Sequence, residues 1–163
     1  MNALRNSLRF LLGRRPSALQ VAAVCRNAAG EVLLITSRGT GRWVIPKGWP
    51  MDGRSASAAA AREAWEEAGV KGTIREEAIG SYRYMKGLPG GLKVDCRVRV
   101  FPLVVGDICK DFPEKGERRA AWVDCAEAAA RVQEPGLKTL ILAFEREILG
   151  ASAMAVKNGT SDA

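Results

Sequence analysis

The sequence predicts a single α/β domain. Its 163 residues suit one hydrophobic core. Apolar, β-branched runs bounded by turn residues alternate with Ala-rich segments of helical character, the order expected when helices cover a sheet. Neither an internal repeat nor a long linker divides the chain.

The elements follow in order. Ala18–Val24 and Glu31–Thr36 are apolar stretches joined by the turn Asn27–Gly30, which predicts a β-hairpin. Trp43–Ile45 predicts a short third strand stopped by Pro46, and Pro46–Gly53 reads as a rigid irregular loop. Ser55–Ala68 predicts the best helix of the chain, with Ser55 as N-cap and Gly69 just past its end. Thr73–Tyr84 reads as one extended segment with a bulge at Gly80, followed by the turn Gly87–Gly91 and a long strand, Leu92–Val105. Gly106–Arg118 reads as a charged loop, and Ala120–Val123 as a short strand. Ala126–Val132 and Leu137–Leu149 read as helices separated by Pro135-Gly136. The domain is therefore expected over residues 17–149, between a basic segment, 1–16, and a frayed tail, 150–163.

Composition narrows the function. Hydrophobic residues at 47% and charged residues at 26% are ordinary globular values, which excludes disordered and fibrous classes. No apolar run reaches the ~20 residues of a membrane-spanning helix. The absence of histidine excludes a Ser-His-Asp triad, a Cys-His pair and a His-ligated zinc, so acid–base and metal chemistry fall mainly on the 18 carboxylates. A net charge of +7 favours an anionic partner: nucleic acid, a membrane surface or a phosphorylated small molecule. Aromatics make up only 6%, without the stacking platforms of RNA-binding modules, which argues against nucleic acid.

Cys25, Cys96, Cys109 and Cys125 lie far apart, as small hydrophobes of a reducing compartment do, so a cytoplasmic location is expected. Residues 1–30 carry Arg5, Arg9, Arg14, Arg15 and Arg26 with no acidic residue. That pattern makes a mitochondrial transit peptide the alternative to a short basic helix over Leu4–Leu12.

One segment carries chemistry. At 100° per residue, taking Glu63 as the origin places Glu66 at about 300° and Glu67 at about 40°, so three carboxylates share one helix arc. Ala61, Ala64, Trp65 and Ala68 fall on the opposite, core-facing side. Like charges at these spacings repel by a few tenths of a kcal/mol, which calls for a cation. Arg62 can supply one to Glu66 at i,i+4. Mg²⁺ or Mn²⁺, which take carboxylate and phosphate oxygens, can supply the other.

Gly48, Arg62, Glu63, Glu66, Glu67, Gly69 and Val70 fall at the spacing of G-x5-E-x7-R-E-U-x-E-E-x-G-U, where U is a bulky aliphatic residue. The segment resembles the Nudix box. Two positions depart from it: Arg54 stands where the first Glu is expected, and Ala64 replaces the aliphatic residue. Arg42-Trp-Val-Ile-Pro-Lys-Gly48 resembles the lead-in of the diphosphoinositol polyphosphate phosphohydrolase branch and its bacterial relatives. Pro113-Glu114-x-x-Glu117 with Trp122-Val123 resembles a segment common near the end of Nudix domains.

The resemblance implies an α/β/α sandwich around a mixed sheet, and hydrolysis of a diphosphate linkage with Mg²⁺ or Mn²⁺. It implies that Glu63, Glu66 and Glu67 hold the metal with the Gly48 carbonyl, that Arg62 orients the glutamates, and that Glu114 or Glu117 acts as a distal base. Arg38 and Arg42 resemble phosphate-contacting positions, with Lys47 beside them. Lys93, Arg97 and Arg99 either extend the same cleft or face water, and Trp43, Trp49 and Trp122 are the aromatics able to stack a base, with core packing expected of Trp43 and Trp122. A small polyphosphate is the implied partner: an inositol pyrophosphate or dinucleoside polyphosphate first, ADP-ribose or another nucleotide sugar next. A weakened domain that only binds phosphate ligands is the competing class, and a homodimer is compatible with the family.

Overall fold

The computed structural model describes residues 17–159, so the expected N-terminal basic helix and the last four residues of the chain lie outside it. The described elements are β1 (Ser17–Arg26), β2 (Val32–Thr36), β3 (Trp43–Val44), β4 (Lys47–Gly48), α1 (Ala56–Ala68), β5 (Val70–Ile74), β6 (Gly80–Gly87), β7 (Lys93–Ile108), β8 (Ala120–Val123), α2 (Cys125–Arg131) and α3 (Pro135–Gly159).

The sheet is built on β1 and β7, which pair in parallel from Ser17–Asp95 to Arg26–Val104. All other pairings are antiparallel: β2 and β4 on β1, β3 and β8 on β2, β5 and β6 on β7. Alternation along β1 sends Val21, Ala23 and Cys25 to one face, where Ala59, Ala60 and Ala64 of α1 pack with Phe101 and Leu103. Ala22 and Val24 point to the other face, against Ala128 of α2 and Leu137, Ile141 and Phe144 of α3. Two cores, one on each side of a mixed sheet, make the α/β/α sandwich that the motif implied. Among the described residues, no helix is long and apolar enough to cross a membrane.

Four expectations change. The loop Pro46–Gly53 contains β4, whose Lys47 and Gly48 pair with Ala22 and Val21. The segment Thr73–Tyr84 is two strands on one edge of β7; the chain breaks at 75–79, where Arg75 and Ile79 donate to the carbonyls of Pro102 and Val100. The irregularity falls at Lys71/Gly72, not at Gly80, and a β-carbon on Gly72 would lie 2.0 Å from the Val104 carbonyl oxygen. The last helix continues to Gly159, because residues 151–157 are Ala, Ser, Met, Val and Lys, with no proline to stop it.

Candidate active site

Helix α1 sets the site. Ser55 Oγ accepts from the Ala58 N–H at 3.2 Å, and Gly69 (φ +71°) returns its N–H to the carbonyls of Ala64 and Trp65. The carbonyl of Glu66 is among the last four of the helix and has no partner within it. The Glu114 N–H donates to it at 2.9 Å, and the Cys109 N–H donates to Gly69 O at 2.7 Å. These bonds fasten the loop 109–118 to the end of α1. β8 then pairs with β2 and holds Arg118 beside Thr36, whose carbonyl accepts from its guanidinium at 3.1 Å.

The result is an open cleft of about 650 Å³ that includes Glu63, Glu66, Glu67, Gly48, Lys47, Arg38 and Glu114. Arg62 donates to Glu66 at 2.6 Å, the predicted i,i+4 pair, and its guanidinium lies 4.4 Å from the Trp65 ring centroid. Trp65, expected on the core-facing side, is only half-buried and belongs to neither core, whereas Glu67 is 7% exposed. Burial pushes the Glu67 carboxyl up to about 8, with Arg118 and Lys47 opposing and Glu63 and Glu114 adding to the rise. Glu63 is raised in the same sense by burial, while a hydrogen bond from Glu67 lowers it. Burial also lowers Lys47 to about 8.

Gly48 is packed against the first of these carboxylates. β4 is fixed to the central strand β1, so only a residue without a side chain admits the Glu63 carboxyl over it. Among the described residues, no three acidic or thiol side chains converge into a ready-made metal cage. Glu66 is turned to Arg62, and Glu67 to Arg118. The donor set still fits Mg²⁺ or Mn²⁺, hard ions that use one or two carboxylates together with substrate phosphates.

Two expected site residues, Arg42 and Glu117, lie outside the cleft lining. Arg42 pairs with Glu134, at the start of α3, and its guanidinium lies 5.8 Å from the Tyr84 ring centroid. Glu134 is buried, and a buried carboxylate needs such a cation. Glu117 reaches Arg38 at 3.5 Å but does not line the cleft, so of the two distal-base candidates only Glu114 faces it. Arg54 is exposed and also outside the lining. Lys93, Arg97 and Arg99 lie outside it as well and are exposed on β7.

Arg118 is the residue that sequence reasoning missed. It is 11% exposed, 3.7 Å from Glu67 Oε2 and 3.4 Å from Glu114 Oε1, and its Nε has no hydrogen-bond partner. Gln20, Ser37 and Lys86 also line the cleft. Gln20 comes from β1 and accepts from the Tyr84 hydroxyl at 2.6 Å.

Known proteins carry the same architecture. The NUDIX domain profile matches residues 16–144. "Nudix hydrolase 12, mitochondrial" of Arabidopsis thaliana is 32% identical over 137 residues, covering 76% of this chain and 66% of that protein. "Nudix hydrolase 13, mitochondrial" of the same plant is 34% identical, covering 60% and 51%. The chain thus spans between about half and two thirds of the length of these curated relatives. Among solved structures, the MutT protein from Methanosarcina mazei Go1 superimposes with a TM-score of 0.61 at 25% identity, over 82% of this chain and 96% of that one. A NUDIX hydrolase from Nitrosomonas europaea does so at 0.64 and 24% identity, over 81% and 90%, a likeness of fold. With its box residues running from β4 through α1 to the start of β5 and this profile across most of its length, the chain belongs to the Nudix family.

Proposed function

We propose that the chain is a divalent-metal-dependent pyrophosphohydrolase of the diphosphoinositol polyphosphate phosphohydrolase type. It cleaves a diphosphate linkage in a strongly anionic small molecule, an inositol pyrophosphate or a dinucleoside polyphosphate. One observation carries this reading: a single cleft holds Glu63, Glu66, Glu67 and Glu114 together with Arg38, Lys47, Lys86 and Arg118. The carboxylates suit a hard cation, and the cations suit the phosphates.

Glu63, Glu66 and Glu67 would hold Mg²⁺ or Mn²⁺ with the Gly48 carbonyl. When bound there, the ion offsets the diphosphate's charge and makes water easier to deprotonate. Arg62 keeps Glu66 in place, and Arg118 keeps Glu67 and Glu114 in place. Glu114 accepts the proton of the attacking water. Arg38 and Lys86 bind and orient the phosphates of the substrate from the cleft.

A panel of diphosphate substrates with Mg²⁺, with Mn²⁺ and with chelator tests the reading by product and phosphate analysis. Turnover should require the metal, and Glu66→Gln and Glu67→Gln should each lower it by about 100-fold or more. Near-normal turnover in both variants, or none in the wild type on any substrate, overturns it. The relatives named mitochondrial add weight to the transit-peptide reading of the acid-free N-terminus. A reporter fused to residues 1–30 and recovered in mitochondria would favour it over the cytoplasmic expectation.

A further inference from the structure

We infer that Trp49 is a stacking platform for a nucleobase, which selects nucleoside polyphosphates over inositol pyrophosphates. This rests on the proposed function and deepens it. Trp49 is 46% exposed and belongs to neither core, whereas Trp43 and Trp122 pack against the two cores. A large aromatic left half in water contributes little to folding there. It lines the cleft directly after Gly48, where a β-carbon would run into the Glu63 carboxylate. Lys86 Nζ lies over the ring, 5.4 Å from its centroid, and lines the same cleft, so a cation that can pair with a phosphate covers one face of the indole and a base would stack on the other face or in its place. Pro50 and Met51 extend the apolar edge.

The two candidate substrates differ at this point. A saturated inositol ring clad in phosphates offers an indole neither a π-face nor an apolar face. Every base offers a π-face, so stacking discriminates the class of substrate while tolerating different bases.

Calorimetry on the full chain with Mg²⁺ tests the inference with two probes that share an uncleavable P–C–P bridge. These are α,β-methylene-ADP, which carries a base, and methylenebisphosphonate, which does not. Trp49→Ala should weaken α,β-methylene-ADP by about tenfold or more, with methylenebisphosphonate held within about twofold and Trp49→Phe retaining most of the affinity. The nucleotide should also quench wild-type indole emission more than that of Trp49→Phe, a readout that does not depend on how the alanine variant folds. If α,β-methylene-ADP binds the wild type no more tightly than methylenebisphosphonate, or if Trp49→Ala weakens both alike, the inference is overturned. Trp49-dependent nucleotide binding without turnover of any diphosphate would sustain the platform and sink the hydrolase reading. Metal-dependent turnover with nucleotide binding indifferent to Trp49 would do the reverse.

Discussion

A β-carbon at Gly48 would lie 2.2 Å from Oε1 of Glu63. The colliding atom is the end of a flexible side chain, so the carboxylate can move aside while β4 keeps its pairing with β1. Gly48→Ala should therefore fold with a Tm close to wild type, yet lose about 100-fold in turnover, as a misplaced reactive group does. Gly69→Ala should instead lower the Tm. Its left-handed backbone (φ +71°) costs an alanine about 1–2 kcal/mol, and the new carbon would meet the Cys109 carbonyl oxygen at 2.7 Å. Thermal melts paired with turnover assays separate the two, and equal Tm losses would refute the distinction.

The protonation of Glu67 makes the metal-free protein less stable as pH rises. Its folded-state pKa, about 8, lies above the ordinary 4.5, so between these values the folded protein holds a proton that the unfolded chain has released. Stability from this group is full below about 4.5 and is lost toward 8. Lys47 adds no slope there: lowered from 10.5 to about 8, it acts only above 8, where its contribution rises with pH. Melts in chelator from pH 5 to 8 should show a falling Tm that Glu67→Gln flattens. Added Mg²⁺ should oppose the fall, because the ion favours the ionised carboxylates.

Much of this site was legible because it is local. Ser55, Gly69 and the helical period placed the three glutamates on one arc of α1, and the Arg62–Glu66 pair needs only four residues of sequence. What was not legible comes from distant pairing. Arg118 reaches Glu67 only because the loop 109–118 is tied to the helix end and β8 pairs with β2. The pairing of Arg42 with Glu134, 92 residues away, is likewise invisible in the sequence around Arg42. Glu67 sits on the charged arc, yet the loop and Arg118 cover it.

The Arg42–Glu134 pair should govern stability rather than substrate recognition. Arg42→Ala would leave a buried carboxylate without its cation, and Glu134 Oε2 already has no hydrogen-bond partner. The expected loss is about 3 kcal/mol, the low end for a broken buried pair, because Arg42 keeps 23% exposure to water. Arg42→Met with Glu134→Gln should recover most of it by removing both charges. Denaturant unfolding measures both variants. A large rise in KM with unchanged stability in Arg42→Ala would return this arginine to the cleft.

Arg38 is the cation placed to meet the outer phosphates of a polyanion. It lines the cleft, is 57% exposed, and rests on Glu114 at 3.1 Å and Glu117 at 3.5 Å. Exposed pairs of this kind contribute only about 0–1 kcal/mol, so a phosphate can take the guanidinium from them. Arg38→Ala should lower kcat/KM for a four-phosphate substrate by about 10-fold or more, the effect of one lost charge-assisted hydrogen bond. The net charge of +7 should make the wild-type reaction salt-sensitive as well, since attraction between exposed charges weakens once the screening length falls to ~8 Å at 0.15 M. Kinetics at low and physiological salt should show kcat/KM falling steeply for the polyphosphate and less for ADP-ribose, which carries two phosphates. Arg38→Ala should flatten the polyphosphate's dependence. Equal salt slopes for both substrates, unchanged by the substitution, would remove the polyanion from the proposal and leave a Nudix hydrolase of smaller diphosphates.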